Sequence, residues 1–180
     1  MILSTRNIVL IGFMACGKTF TSRELARRLD RERVSTDEMI VQLEQRSIAD
    51  IFAQSGEPYF REVERRVVAS VAARQGLIID CGGGVARDPV NLQALKATGV
   101  SFYLQASPEA IFRRTKGKVD RPLLNVSDPL TTINKLLAER DPHYRQADFL
   151  IDSNEDNISQ VVNAILAILA NYSPDSAHSA

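Results

Sequence analysis

The sequence predicts an α/β fold: a three-layer α/β/α domain with a central, mostly five-stranded parallel sheet. Short, nearly continuous apolar runs recur along the chain, at residues 8–11, 77–79, 100–104 and 149–151, with a shorter one near Val34. Such runs are typical of strands that are buried on both faces of a parallel sheet. Segments with helical periodicity separate them, at residues 18–29, 58–74, 130–147 and 158–169. This alternation of strands and helices indicates a parallel sheet covered by helices.

The length and composition of the chain fit one globular domain. It has 180 residues, of which 44% are apolar, and we expect a single domain over residues 1–172 with a flexible, polar tail over residues 173–180. The 22 basic residues equal the 22 acidic residues in number. Because no overall charge attracts the chain to nucleic acid or to an anionic membrane, we expect neither as a partner.

Cysteine usage and the N-terminal segment bear on where the protein works. The two cysteines, Cys16 and Cys81, do not form a disulfide framework, which suits a reducing compartment. The first residues carry too little positive charge and too short an apolar run for a signal peptide. No stretch approaches the roughly 20 apolar residues that a membrane-spanning helix requires. We therefore expect a cytoplasmic protein.

A glycine-rich phosphate loop lies between the first strand and the first helix. Residues 12–19, GFMACGKT, match the pattern G-x-x-x-x-G-K-[ST] in full and occupy the strand–loop–helix context that the pattern requires. In such a loop, backbone N–H groups and the helix N-terminus surround the phosphates, the lysine reaches the β- and γ-phosphates, and the hydroxyl residue binds Mg²⁺. We predict nucleotide contacts from Gly12, Ala15, Cys16, Gly17, Lys18, Thr19 and Phe20. The alternative is a glycine-rich turn without a ligand.

Polar clusters follow the loop at the ends of the later strands and on the helices. Asp37 follows the second strand, where a carboxylate can hold a substrate hydroxyl and accept its proton; the alternative is a helix N-cap. Arg61 and Arg140 can capture a carboxylate with two hydrogen bonds each, or can lie on solvated helix surfaces. Glu64 lies one helical turn after Arg61 and can fix its orientation. The glycines at 82–84 let the backbone approach a ligand closely, or form a plain tight turn.

Two stretches fit the core less well and suggest moving parts. Residues 37–61 are interpreted as short helices broken at Ser55-Gly56, and residues 113–128 as a polar, basic loop. In a kinase these would be a substrate-binding cap and a closing lid. Arg121 in the second stretch can bring a positive charge to the transferring phosphoryl group and exclude water, unless the loop is merely solvated.

The order and spacing of these clusters resemble those of shikimate kinases along nearly the whole chain. The similar features are the GFM-x-x-GKT loop, the SxD at the second strand, F-R-x-x-E, the triple glycine, RPLL and R-x-P-x-Y. The resemblance implies a P-loop fold like that of nucleoside-monophosphate kinases, with ATP and Mg²⁺ as cofactors. It implies phosphorylation of the 3-hydroxyl of shikimate to 3-phosphoshikimate, a step of aromatic amino-acid biosynthesis, by a monomeric enzyme.

The resemblance also implies roles for individual residues. Lys18, Asp37 and Arg121 would be catalytic, and Arg114, Arg121 and Pro122 would contact the nucleotide, with Arg114 and Pro122 on either side of the adenine. The substrate would be held by Asp37, Phe52, Phe60, Arg61, Gly82, Gly83, Gly84 and Arg140. Ordinary core packing is the alternative for the two phenylalanines.

The chain departs from the family pattern beside the phosphate loop. Ser35 stands where the family usually has a metal-associated aspartate, and Asp80 precedes the glycines where a small or hydroxyl residue is more usual. We therefore predict a metal site formed by Thr19 and Asp80, with Asp80 supplying the charge that Ser35 lacks. The alternative is a structural Asp80 bonded to loop amides. Ala15 replaces a frequent glycine, and residues 152–156 are acidic where many members have an adenine-facing arginine.

Other functions stay open on the residues alone. A kinase of the same fold can act on another small hydroxy acid such as gluconate, because an arginine pair does not distinguish a ring from an open chain. A nucleotide-binding regulator that has lost turnover also stays open, because Ser35 lacks the usual charge. A nucleoside-monophosphate kinase is possible on fold, but no second set of base-reading features is visible in residues 37–61.

Overall fold

The computed structural model describes residues 5–116 and 126–172. These residues form five strands: β1 (Asn7–Ile11), β2 (Arg33–Ser35), β3 (Ile78–Asp80), β4 (Gly99–Gln105) and β5 (Phe149–Asp152). They also form α-helices: α1 (Lys18–Leu29), α2 (Thr36–Glu44), α3 (Ile48–Ala72), α4 (Pro89–Thr98), α5 (Pro108–Thr115), α6 (Pro129–Tyr144) and α7 (Ile158–Asn171).

The strands form one parallel sheet in the order β2-β3-β1-β4-β5, which confirms the predicted fold class. The central strand β1 is buried along its whole length, in agreement with its continuous apolar run. In a parallel sheet all carboxyl ends lie at one edge, and ligands bind there in α/β proteins. The register pairs Ser35 at the end of β2 with Asp80 at the end of β3. The two residue types that depart from the family pattern are therefore neighbours.

The start of α2 shows that Asp37 is not the N-cap of this helix. Ser35 is the N-cap of this helix, and its hydroxyl accepts a hydrogen bond from the backbone N–H of Glu38 at 3.3 Å. Asp37 lies inside the first turn, so its interpretation as the N-cap was wrong. Serine is among the residues that cap helices best, because its short side chain reaches the free N–H groups of the first turn.

Helix α3 is interrupted near its first third. Gly56 has φ 79° and ψ 170°, outside the helical region, and Pro58 follows it. The predicted break at Ser55-Gly56 is therefore confirmed. Around this kink, α2 and α3 share a small apolar cluster of their own, formed by Ile40, Ile51, Phe60, Val63 and Val67. The role of residues 37–61 as a cap stays a prediction.

The predicted lid falls only partly on the described chain. Residues 113–115 belong to α5, so the loop-like interpretation of residues 113–128 was wrong at its beginning. Asp128 caps α6, accepting a hydrogen bond from the backbone N–H of Thr131. Residues 117–125, which include Arg121 and Pro122, and the tail at 173–180 lie outside the described residues. Within the described ranges, no helix has both the length and the apolar character needed to cross a membrane.

Candidate active site

A cavity of roughly 580 Å³ opens beside the carboxyl ends of β1, β2 and β3. Nine of the predicted site residues line it: Ala15, Gly17, Lys18, Thr19, Phe20, Asp37, Asp80, Gly83 and Arg114. Predicted nucleotide contacts and predicted substrate contacts thus share one space. A cavity of this size is typical of small-molecule sites.

The phosphate loop curls through backbone conformations that favour glycine. Gly12 has φ 143° and Gly17 has φ 102°. A Cβ atom at Gly12 would lie 2.8 Å from the carbonyl oxygen of Leu104, so a larger residue does not fit there. Ala15 adopts φ 58°, the left-handed region, although it carries a side chain. This conformation costs an L-residue about 1–2 kcal/mol.

Lys18 lies inside the curl of the loop. Its ammonium donates hydrogen bonds to the carbonyl oxygens of Gly12 and Phe13, both at 2.9 Å. Burial disfavours the charged form, but attraction to the Cys16 sulfur and the Asp80 carboxylate outweighs it, and the pKa of Lys18 is raised. The lysine is therefore a cation at neutral pH, held by neutral acceptors at the wall of the cavity.

Cys16 is fully buried and packs under the loop. Its sulfur lies 3.7 Å from the Lys18 ammonium, and its carbonyl oxygen accepts a hydrogen bond from the Ser153 hydroxyl at 2.6 Å. The side chain therefore supports the loop from inside, and contact with a nucleotide would come from its backbone.

Arg114 fixes the phosphate loop to the segment after β5. Its guanidinium donates to the carbonyl oxygens of Ala15 at 3.3 Å and Ser153 at 2.6 Å, and to the carboxylate of Asp156 at 2.7 Å. The acidic segment that departs from the family pattern thus provides a partner for Arg114. The predicted adenine contact of Arg114 is compatible with its place on the cavity wall, beside Ile158.

Each of the three consecutive glycines lies close to the side chain of a different residue that was predicted to bind the substrate. A Cβ atom at Gly82 would overlap the Asp37 carboxylate, with its Cγ 3.0 Å away, and one at Gly84 would lie 2.5 Å from Nη1 of Arg61. At Gly83 the corresponding distance to Nη1 of Arg140 is 4.0 Å. The glycines therefore leave room for three predicted site residues at one turn, and a larger residue at 82 or 84 would force Asp37 or Arg61 to move.

Two carboxylates hold Arg61 at this turn. Glu64 accepts from Nη1 at 2.9 Å, which confirms the predicted orienting contact, and Glu57 accepts from Nη2 at 3.0 Å. Burial raises the pKa of Glu64 above its ordinary value, although Arg61 favours the carboxylate form. The side chain of Glu64 is 2% exposed, whereas that of Glu57 is 52% exposed. Arg61 thus has one permanent partner and one that solvent or a ligand can replace.

Arg140 and Tyr144 approach the turn from α6. The Arg140 guanidinium lies over the ring of Phe13, 5.4 Å from its centroid. The buried hydroxyl of Tyr144 donates a hydrogen bond to the carbonyl oxygen of Gly83. The last turn of α6 therefore fixes both an arginine and the glycine turn.

The two predicted aromatic residues lie farther from the cavity. The rings of Phe52 and Phe60 pack together with centroids 4.6 Å apart. Phe60 is buried in the cluster shared by α2 and α3, and the Arg61 guanidinium lies 5.1 Å from its ring centroid. Neither ring lines the cavity. Phe60 thus has the core-packing role that was the alternative, and contact between either ring and a substrate stays a prediction.

Asp80 is bonded by side chains rather than by loop amides. Its Oδ2 accepts from Nη2 of Arg33 at 2.8 Å and from the Ser22 hydroxyl at 3.4 Å. The alternative for Asp80 was a structural role with bonds to loop amides. The structure shows instead an ion pair with Arg33 of β2. Among the described residues, no group of three or more His, Cys, Asp or Glu side chains is arranged to hold a metal. Oxygen donors line the cavity, among them Thr19, Ser35, Asp37 and Asp80, and such donors fit Mg²⁺, which prefers oxygen and keeps several waters.

Several contributors to the site were missed from the sequence. Arg33, Ser22 and Glu57 belong to no motif, and their contacts depend on the packing of α1, β2, β3 and α3. Tyr144 lies in the R-x-P-x-Y cluster, which was the available signal. Arg121 and Pro122 lie outside the described residues, so their predicted roles stay predictions.

Known proteins similar to this chain agree on one family. A family profile described as shikimate kinase matches residues 14–170. The shikimate kinase of Pelotomaculum thermopropionicum is 41% identical over 167 residues, which cover 93% of this chain and 97% of that protein. The shikimate kinase of Caldanaerobacter subterraneus subsp. tengcongensis is 39% identical, over 89% of this chain and 94% of that protein.

Solved structures of shikimate kinases resemble this chain in sequence and fold, whereas a more distant kinase resembles it in fold alone. A shikimate kinase from Acinetobacter baumannii, in complex with shikimate, superposes with a TM-score of 0.88 at 35% identity, covering 94% of this chain and 96% of that one. A gluconokinase from Sinorhizobium meliloti superposes with a TM-score of 0.59 at 15% identity, and shares the fold alone. With the profile and the relatives covering most of its length, this chain belongs to the shikimate kinase family.

Proposed function

We propose that this protein transfers the γ-phosphoryl group of ATP to the 3-hydroxyl of shikimate, giving ADP and 3-phosphoshikimate. The observation that carries the proposal is the glycine turn at 82–84, where Asp37, Arg61 and Arg140 converge. Asp37 and Gly83 line the same cavity as residues of the phosphate loop. A hydroxy acid and a nucleotide can therefore meet there.

The two arginines fit the carboxylate of the substrate. A guanidinium donates two parallel hydrogen bonds to a carboxylate, and this geometry fixes the orientation of the acid as well as its position. Arg61 is itself oriented by the buried Glu64. With the acid group fixed, the hydroxyl to be phosphorylated points towards Asp37.

Asp37 is the group that handles the hydroxyl proton. It lies in the first turn of α2, against Gly82, and faces the cavity. A carboxylate at this position orients the attacking oxygen and accepts its proton as the bond to phosphorus forms. General acid–base assistance of this kind is typically worth about 10²–10⁴-fold in rate.

Lys18 and the loop amides stabilise the phosphates. In the nucleotide complex Lys18 exchanges its two carbonyl acceptors for phosphate oxygens, which bear negative charge and accept stronger hydrogen bonds. Mg²⁺ bound with ATP would neutralise charge on the β- and γ-phosphates, and Thr19 and Asp80 are the residues that would hold it. We further propose that Arg121 approaches the transferring group from residues 113–128, and that Arg114 and Pro122 contact the adenine.

The test is an ADP-release assay with purified protein, ATP and Mg²⁺, run with shikimate, with gluconate and without an acid. We expect ADP release that depends on shikimate, and 3-phosphoshikimate as the product identified by mass spectrometry. A Lys18→Ala protein purified in parallel controls for contaminating kinases. Release that depends on gluconate alone, or nucleotide binding without turnover on either acid, would contradict the proposal.

A further inference from the structure

The cavity contains three aspartates, and their surroundings differ. Asp156 is paired with Arg114 at 2.7 Å. Asp37 lies against Gly82 at the turn assigned to the substrate. Asp80 lies at the end of β3 beside the first turn of α1, which carries Thr19. Of the three, Asp80 is the aspartate that Ser22 connects to the turn carrying Thr19.

A hydrogen-bonded network connects Asp80 to that first turn. The hydroxyl of Ser22 lies 3.4 Å from Oδ2 of Asp80 and 3.0 Å from the carbonyl oxygen of Thr19. The Nε of Arg33 donates to the same hydroxyl at 2.9 Å. The start of β2, the end of β3 and the first two turns of α1 are thus joined at one place.

Arg33 fixes the carboxylate and balances its charge. The Arg33–Asp80 pair is buried, with side-chain exposures of 14% and 6%, and both named hydrogen bonds to Asp80 arrive at Oδ2. An isolated buried carboxylate would be strongly unfavourable, whereas one with a bonded cation is tolerated. Asp80 nevertheless lines the cavity.

The end of β2, next to Asp80 in the sheet, carries a serine instead of a carboxylate. Ser35, the register partner of Asp80, is buried, lines the same cavity and uses its hydroxyl to cap α2. Paired positions on adjacent strands are only about 5 Å apart. A carboxylate at either position would therefore face the same part of the cavity, and in this chain it is on β3.

We propose that Asp80, held by Arg33 and Ser22, is the carboxylate that supports Mg²⁺ at the nucleotide phosphates, together with the Thr19 hydroxyl. The inference rests on the proposed function, because it assumes that the loop binds a nucleotide. Mg²⁺ keeps several of its waters in such sites, so Asp80 acts by direct contact or through one water. One protein carboxylate, one hydroxyl and the phosphate oxygens then complete the site with water.

The experiment measures ADP affinity by isothermal titration calorimetry over a series of Mg²⁺ concentrations and in EDTA, without shikimate. In the wild type, ADP binding should tighten as Mg²⁺ rises. In Asp80→Asn, the Mg²⁺ concentration for half of that effect should increase by about tenfold or more, the range seen when groups supporting a metal site are removed. Affinity for ADP in EDTA should not weaken, because the substitution removes a negative charge near the phosphates.

Two further variants locate the effect. Glu38→Gln removes the other carboxylate bonded to Arg33, but Glu38 does not line the cavity, so the Mg²⁺ dependence should stay as in the wild type. Ser35→Asp combined with Asp80→Ser moves the carboxylate to the register partner. Aspartate caps helices as well as serine does, so α2 is preserved, and much of the Mg²⁺ dependence should return.

A variant that fails to fold does not end the test. If Asp80→Asn is destabilised because Arg33 keeps only the exposed Glu38 as its ion-pair partner, Arg33→Gln combined with Asp80→Asn removes both charges, and circular dichroism verifies the fold of the double variant. Wild-type Mg²⁺ dependence in both variants would overturn the inference and leave Asp80 as a structural partner of Arg33. Tight, Mg²⁺-dependent ADP binding without shikimate turnover in the wild type would instead overturn the proposed function alone.

Discussion

The two ends of the cavity are constructed by opposite means. At the end proposed for the substrate, Asp37, Arg61 and Arg140 approach residues 82–84, where three glycines leave room for them. At the phosphate end, Lys18 and Asp80 are held by partners: two carbonyl groups for the first, and a guanidinium with a hydroxyl for the second. We therefore expect substitutions that add atoms to impair activity most at the first end, and substitutions that remove a charge to impair it most at the second.

The largest effect is expected at the phosphate end, from Lys18→Ala. This substitution removes the cation proposed to contact the β- and γ-phosphates, and we expect turnover to fall by at least about 10³-fold, as for other charges that stabilise phosphoryl transfer. Steady-state kinetics measures the loss, and circular dichroism should show an unchanged fold. Comparable turnover in both proteins would exclude the phosphate-loop mechanism.

At the substrate end, Arg61→Ala and Arg140→Ala should each weaken shikimate binding more than ATP binding. Truncating one partner of a desolvated charged pair costs about 2–5 kcal/mol. The Kd values for shikimate and for ATP, measured separately by calorimetry, give the comparison. If shikimate binds normally while ATP binding is lost, the assignment of the two ends is reversed.

Gly82→Ala tests whether the glycine turn acts by leaving space. The new methyl group would overlap the Asp37 carboxylate and displace it. We expect kcat to fall by roughly 10²-fold, as when a general base is misplaced, with little change in the KM for ATP. Gly83→Ala adds a methyl group at the same turn without contact to Asp37, because the nearest atom would be 3.7 Å away, and a loss in that variant would come from the proposed substrate contact of Gly83 itself. Equal losses in both variants would mean that Asp37 is not the residue affected.

Glu57→Gln should produce a small gain at the same end. Glu57 is bonded to Nε and Nη2 of Arg61 and is largely exposed, so a substrate carboxylate that approaches this edge competes with it. Exposed ion pairs contribute about 0.2–1 kcal/mol, so the KM for shikimate should fall by up to about fivefold. An unchanged or higher KM would show that the substrate does not use this edge of Arg61.

The smallest effect is expected from Ala15→Gly in the phosphate loop. Ala15 has φ 58°, and glycine adopts this conformation without strain. The greater freedom of glycine in the unfolded chain offsets part of the gain, so we expect the free energy of unfolding to rise by at most about 1 kcal/mol. Urea denaturation measures it. A clear destabilisation would show that the methyl group of Ala15 makes contacts that outweigh the strain.

The sequence predicted the sheet well because its strands are buried on both faces and carry continuous apolar runs. It did not predict that α3 begins at Ile48, because Gly56 and Pro58 interrupt the helical pattern while the chain resumes the helix beyond them. The phosphate loop was predictable because its residues are contiguous. The Arg33–Asp80 pair was not, because it joins residues 47 positions apart and depends on the register of β2 against β3.

The apolar cluster shared by α2 and α3 has a consequence for local stability. Ile40, Ile51 and Phe60 belong to it, whereas β1 and β4 are covered by a separate, larger core. Contacts of the small cluster can therefore break without exposing the sheet, and the free energy of opening this region is separable from that of global unfolding. If the substrate carboxylate binds Arg61 as proposed, its binding energy also opposes the opening of this region, because Arg61 follows Phe60 directly.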